Sequence, residues 1–268
     1  IKMTYTNLNF IIHADDYGVH NESSNHILEA SEGALNSISC LVNGDDFENC
    51  ANKLKRYKKK LRISLHLNFI EGKCVTDKKL LKNITDENGY FYHNYFSLLK
   101  LYYLSPKKIK KNIVEEIKLE TRNQIKKFCV IFSLNKINID SHQHIHTIPF
   151  IFDTIVSLKK EFNIHYIRVP RELFIFDKVI FIKPINLIKF ILLNLVSIRS
   201  KKILFKNNIL FADYFIGILG TGNLKYRLIK KFISKIYSNK KSGEIIVEIL
   251  FHPGGIFKND YQNKSRYP

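Results

Sequence analysis

Arginine is scarce in this 268-residue chain, at 8 positions against 35 lysines. That scarcity changes how the net charge of +19 is read. Nucleic-acid surfaces favour arginine, whose planar fork makes bidentate contacts to phosphates and base edges. Lysine here travels with 39 isoleucines and 25 asparagines, all encoded by A/T-rich codons, so base composition accounts for the excess. The charge is expected to be diffuse, with no nucleic-acid partner. Lys58–Lys60, Lys107–Lys111 and Lys240-Lys241 read as solvated helix faces or loop tips.

Glycine (11) and proline (6) are also few, and 45% of residues are hydrophobic, which excludes a disordered or collagenous chain. The four cysteines (Cys40, Cys50, Cys74, Cys129) form no CxxC, and this usage points to a reducing, cytoplasmic setting. A basic-then-apolar leader is not seen. The most apolar stretch, Val179–Ile198, is interrupted by Lys183, Pro184, Asn186, Lys189 and Asn194. A membrane span needs about 20 nearly uninterrupted apolar residues, so this stretch is expected to be a buried helix. No repeat, linker or glycine-rich phosphate loop divides the chain, and residues 1–268 are expected to form one domain.

What is present is alternation. Short β-branched runs predict strands at Asn9–His13, Leu35–Val42, Leu61–Phe69, Ile137–Ile145, Tyr166–Val169 and Glu244–Phe251. Helical spacing predicts helices at Asn25–Ser31, Phe47–Lys59, Pro106–Phe132, Phe150–Phe162, Phe181–Ser200 and Gly222–Tyr237, the first capped by Ser23 or Ser24. Strand–helix alternation with nearly continuously apolar strands implies a parallel sheet covered by helices. Seven or eight such units fit a single, distorted β/α barrel better than an open doubly wound sheet.

Position then matters more than residue type. In a β/α barrel the loops after the strands converge on one mouth. Four predicted strands end in an acid or histidine: Asp15-Asp16, His66, Asp140-Ser141-His142 and His252. One carboxylate and two imidazoles make a common shell for a divalent metal with open positions. His142, His144 and His146 would share one face of a continuing strand, but His142 and His146 would then stand ~13 Å apart. His142, nearest the strand end, is the expected ligand, with His144 as the alternative. His146 is expected to be structural or at the mouth, and His13, His20, His26, His93 and His165 to be ordinary core or surface residues.

Five blocks carry a resemblance. His13-Ala14-Asp15-Asp16-Tyr17-Gly18, Leu41-Val42-Asn43-Gly44, Leu65-His66-Leu67-Asn68, Asp140-Ser141-His142-Gln143-His144-Ile145-His146 and His252-Pro253-Gly254 resemble, in order, the YdjC-like carbohydrate deacetylases. This group includes the chitooligosaccharide deacetylases. Ile167-Arg168-Val169-Pro170-Arg171-Glu172 and Asp213-Tyr214-Phe215 look like further family segments. The resemblance implies a β/α barrel, one divalent ion (magnesium or zinc) and hydrolysis of an acetamide on an amino sugar. By this resemblance Asp16, His66 and His142 match metal positions, Asp15 matches the proposed base, and His252 lies where a general acid is expected. Asn43, His144 and Arg168 are the expected substrate contacts, Arg168 either orienting Asp15, meeting the sugar, or forming a rim ion pair. Tyr17 stands where phenylalanine is usual and His13 where asparagine is often seen, and residues 77–133 match only loosely.

The same shell would also serve an esterase or amidase acting on a small non-sugar substrate. A non-catalytic sugar- or polyanion-binding barrel needs neither a base nor an open metal position, so the joint presence of Asp15, Asp16, His66, His142 and His252 favours an enzyme. Self-association as a homodimer is left open.

Overall fold

The computed structural model describes residues 6–175, 183–222, 224–238 and 243–253. In chain order it contains β1 (Thr6–Tyr17), α1 (Asn21–Ala30), β2 (Ser37–Cys40), α2 (Phe47–Leu54), β3 (Arg62–Leu67), α3 (Tyr95–Leu104) and α4 (Lys107–Phe132). There follow β4 (Ile137–Ser141), α5 (Pro149–Ser157), β5 (Ile164–Ile167), α6 (Pro184–Lys206), β6 (Tyr214–Ile216), α7 (Tyr226–Ser238) and β7 (Gly243–Phe251). The strands form one curled sheet in the order β5-β4-β3-β2-β1-β7-β6. Every neighbouring pair is parallel.

The barrel expected from the strand count is only half realised. Strands β5 and β6 face each other without a ladder, linked by Tyr166 bridging Leu210 and by the Phe215 N–H donating to the Arg171 carbonyl. Two local features stop closure. β6 is three residues long, and the chain after β5 reaches Pro170, which has no N–H to give. The result is a parallel half-barrel flanked by helices.

The expectation of almost continuously apolar strands is also corrected. One face of the sheet is apolar: Ile38 and Cys40 of β2, Ile63 and Leu65 of β3 and Ile139 of β4 are all buried there. The inner face presents His13, Asp15, Ser37, Ser39, His66, Asp140, Tyr166, Arg168 and Glu248, likewise buried. Period-2 alternation separates the two sets cleanly. Ser37 pairs with His13 in the β1–β2 register, and His66 with Asp140 in the β3–β4 register, so the inner groups stand side by side.

α4 shows how a helix can serve both a core and a loop. Ile113, Ile117, Ile125, Phe128 and Phe132 lie on its buried side. Glu116, Glu120 and Gln124, spaced by four, share that side and hold the long excursion after β3. Glu120 accepts the Val75 and Thr76 N–H groups at 3.0 and 2.9 Å. Glu116 accepts the Asn83 N–H at 2.9 Å.

Several expected elements shift. β1 runs on through Asp15 and Asp16 instead of ending at His13. α1 begins at Asn21, and Ser24 does not cap it: its hydroxyl accepts the Gly18 N–H and donates to the His20 carbonyl. β4 stops at Ser141 instead of running to Ile145. α3 and β6 were not expected as elements. The apolar stretch read as a buried helix is α6, and it is far from fully buried. Its inward side holds Asn186, Leu193, Ser197, Ser200 and Leu204, while Ile188, Ile191, Leu195 and Ile198 are exposed. No helix among the described residues is long and apolar enough to cross a membrane. The expected start of this helix at Phe181, the Lys240-Lys241 run and Gly254-Gly255 lie outside the described residues.

Candidate active site

The mouth at the carboxyl ends of β1, β3 and β4 is built around a bulge. The β1–β2 register slips between Ala14 and Tyr17, and Asp16 takes a left-handed φ of +66°. On a regular strand Asp15 and Asp16 would point to opposite faces; the extra residue of the bulge turns both inward. Gly18, at φ +97°, completes the turn where an added Cβ would meet Phe47 at 3.0 Å.

Asp16, His66 and His142 converge. Asp16 Oδ1 stands 3.2 Å from His66 Nε2 and 2.8 Å from His142 Nδ1. One donor atom from each residue lies within 4.8 Å of the others. His66 is held from behind by Asp140, with Nδ1 to Oδ1 at 2.7 Å, which leaves Nε2 as the nitrogen that faces inward. A carboxylate and two imidazoles with one nitrogen pre-oriented fit a divalent cation. Without the ion the groups lean on each other. Burial favours neutral Asp16, but the His142 and His66 charges outweigh it and hold the carboxyl well below its usual range. Burial would lower His66, yet the Asp15 charge and the hydrogen bonds that Asp140 and Asp16 accept from it push it up to about 9.

His13, Asp15 and Asp140 form a second compact group by the same distance criterion. It already contains a cation. Arg168, with no solvent exposure, donates to Asp15 through both terminal nitrogens at 2.9 Å. The same guanidinium lies 3.1 Å from Asp140 and bonds Glu248 through Nε at 2.7 Å. His13 Nε2 sits between Asp15 and Asp140 at 3.2 and 3.3 Å. Neither contact is aligned as a hydrogen bond, so the attraction is ionic. Burial opposes His13 protonation, as does Arg168, but the two carboxylates win and raise its pKa. Arg168 thus balances the charge of these buried carboxylates from within the protein.

The remaining expected residues separate clearly. The chain after Ser141 turns into a tight 3-10 segment, His142–Thr147, with Gln143 and His144 at φ +48° and +57°. The extended-strand spacing of the three histidines therefore does not apply. His142 joins the metal group, and His144 does not. His146 is fully buried and structural: Ser141 Oγ bonds its Nδ1 and its Nε2 meets the Arg168 carbonyl at 3.0 Å. His144 lies edge-on to Phe215, and its Nδ1 is buried without a partner. Burial and then the Arg168 charge keep it neutral. His252 is half exposed, with Nε2 4.0 Å from Asp16. Arg168 proves to be neither a rim ion pair nor a sugar contact, because a fully buried fork on Asp15 has no face left for a ligand. Asn43 is likewise occupied, donating to the Glu71 and Lys73 carbonyls.

Sequence reasoning placed Asp140 at a strand end without a role, read His13 as an ordinary residue, quoted Glu172 only within a family segment, and missed Glu248 and Glu71. The signal for His13 was there: two residues before Asp15, it shares the inner face. Glu248 had no signal beyond its place in EIIVEILF. Glu172 ties the segment after β5 to the loop after β6, its carboxylate accepting the N–H groups of Gly217, Ile218 and Leu219 at 2.8–3.0 Å. Burial raises its pKa to about 7 despite those donors. A carboxyl raised in the folded state binds its proton more tightly there than when unfolded. Its contribution is therefore complete below about pH 4.5 and is lost as pH rises toward 7, by about 3 kcal/mol. Glu172→Gln is expected to flatten that part of the stability–pH profile, which urea titrations across this range measure. An unchanged slope would show that the group does not titrate there.

The fold and site together define an α/β half-barrel protein with a candidate divalent-metal centre at the carboxyl ends of its strands. Residues 9–266 match the model of the family described as YdjC-like protein, and the chain belongs to that family. It is 30% identical over 158 residues to a carbohydrate deacetylase of Clostridium beijerinckii, covering 59% of this chain and 58% of that one. A chitooligosaccharide deacetylase of Escherichia fergusonii is 29% identical over 163 residues, 60% and 59% of the two chains. Both matches thus span less than two thirds of the relative. A carbohydrate deacetylase of Xenopus laevis is 25% identical over 260 residues, 92% of this chain and 81% of that one. A solved structure from Enterococcus faecalis, of a proposed cellobiose-phosphate cleavage protein, shares the fold with a TM-score of 0.68. It is 19% identical and covers 98% of this chain and 87% of its own.

Proposed function

We propose that this protein is a metal-dependent deacetylase that hydrolyses the acetamide of an N-acetylated amino sugar or short oligosaccharide and releases acetate. The observation that carries the reading is the convergence of Asp16, His66 and His142 within 4.8 Å at the mouth. The deacetylase names of the relatives support the substrate class.

Asp16, His66 and His142 would hold the divalent ion, which when bound polarises a carbonyl and lowers the pKa of water. Asp15 takes the proton of the attacking water. Burial favours its neutral form, but Arg168 and His66 hold the carboxyl well below its usual range, so it stands ready in the accepting form. The water oxygen bonds to the acetyl carbon, the carbon–nitrogen bond breaks, and His252 supplies the proton with which the amine leaves. His144, neutral and with Nδ1 unpartnered, is the polar group left to meet the sugar beside the Phe215 ring.

The test is acetate release from a panel of acetylated mono- and oligosaccharides, with and without a chelator. Chelation is expected to abolish release, and added zinc or magnesium to restore it. Asp16→Asn is expected to bind metal more weakly, with activity partly recovered by excess ion, because an amide is a poorer ligand than a carboxylate. Acetate release that persists through chelation would overturn the reading.

A further inference from the structure

His142 has two ring nitrogens, and a carboxylate faces each. Nδ1 faces Asp16 at 2.8 Å, and Nε2 faces Glu71 Oε1 at 2.7 Å. Glu71 sits in the loop after β3 and is outside the metal-sized group formed by Asp16, His66 and His142. The Glu71 contact is close but off the line of the ring N–H, so Nε2 makes no regular hydrogen bond. The 2.7 Å separation decides the matter, since charge attraction at that range needs no alignment.

The backbone of Glu71 is held to an unusual degree for a loop residue. Asn68, fully buried, accepts the Glu71 N–H at 3.3 Å and donates to the Glu71 carbonyl at 2.7 Å. Asn43 donates to the same carbonyl at 3.2 Å. Asn68 is itself clamped by Gln124 of α4, which takes its N–H at 3.1 Å and gives to its carbonyl at 2.7 Å. Gly72 follows at φ +69°, where an added Cβ would stand 3.4 Å from the Asn43 amide nitrogen. Three buried or half-buried amides thus converge to place one carboxylate.

We propose that Glu71 is a positioning residue: it holds the His142 ring from the Nε2 side so that Nδ1 faces Asp16 and the metal. A carboxylate then stands 2.7 Å behind each imidazole, Asp140 behind His66 through a hydrogen bond and Glu71 behind His142 through charge. Carboxylates behind metal-binding histidines fix ring orientation and raise ligand basicity. The proposal rests on the metal-centre reading above and assigns the loop after β3 a part in it.

The experiment is calorimetric titration of the whole protein with Zn²⁺, in the parent, Glu71→Gln and Glu71→Ala. Visible spectra of the Co²⁺-substituted forms are recorded alongside. Metal affinity is expected to fall about 10- to 100-fold in Glu71→Ala, the usual effect of losing such a partner. Glu71→Gln is expected to fall less, since its amide oxygen still presents a partial negative charge to Nε2. The Co²⁺ band shape should stay the same in all three, because the ligand count does not change. Parent-like affinity in both variants would overturn the proposal while leaving the metal centre standing. A Co²⁺ spectrum reporting one ligand fewer would overturn it too, by making Glu71 a ligand. A parent that binds no Zn²⁺ would sink the metal-centre reading itself.

Discussion

Asp15→Asn is expected to lower turnover by about 10²–10⁴, the usual worth of a general base, while leaving metal affinity nearly unchanged. The substitution keeps the size of the side chain and one oxygen for the Arg168 fork, but it removes the group that accepts the water's proton. Asp15 does not belong to the group formed by Asp16, His66 and His142. The measurement is deacetylation rate against metal concentration for Asp15→Asn and Asp16→Asn on one acetylated amino sugar. Saturating metal should rescue the second and not the first. Rescue of Asp15→Asn alone would reverse the two assignments, and full activity in both would move the chemistry elsewhere.

Arg168→Met should destabilise the fold by about 3–5 kcal/mol, as expected when one partner of a buried ion group is removed. Methionine fills much of the same volume, so the loss reports charge more than packing. Three buried carboxylates, Asp15, Asp140 and Glu248, lose their shared donor. Burial raises Asp15 and Asp140, and Arg168 is the largest influence that lowers them. In the parent these depressed carboxyls add stability above their unfolded values near pH 4, and lose it as pH falls through their folded values. In the variant the benefit disappears, so its deficit should be greatest at neutral pH and shrink toward pH 4 as the carboxyls protonate. Urea denaturation at neutral pH and again near pH 4 checks this. A deficit that does not change with pH would mean that packing, not charge, carries the effect.

The residues that converge at the mouth were legible because chemistry-bearing side chains at strand ends are visible as sequence. Asp16, His66 and His142 each close a short apolar or alternating run, and parallel strands bring such ends to one rim. Alternation in LRISLHLNF was likewise legible, but its consequence was not. A polar residue on a strand looks like a solvent-facing one until the sheet curls and buries that face. Glu248 belongs to this class: its partners Tyr166, Arg168 and His13 are all 80 residues or more away, and nothing local marks it as paired.

Local geometry hid two further points. His142, His144 and His146 read as a strand face, because alternating histidines give no warning of two successive left-handed residues at Gln143 and His144. For Asp15 and Asp16 the hidden point is the device: both turn inward at a bulge within β1, not because the strand has ended. Glu71 was hidden for another reason: its position depends on Asn43, Asn68 and Gln124, three residues from three elements.

By itself the sequence determined the parallel α/β class, the order of most elements and the three residues that converge at the mouth. These follow from hydrophobic periodicity and from residue type at strand ends, which are local properties. The tertiary structure decided that the barrel stays open between β5 and β6, that the inner face is an ion network, and which carboxylate holds which imidazole. Those outcomes depend on sheet curl, on a proline that lacks a donor and on charges meeting across long chain separations. Burial gives such contacts their energy, and burial exists only once the chain has folded.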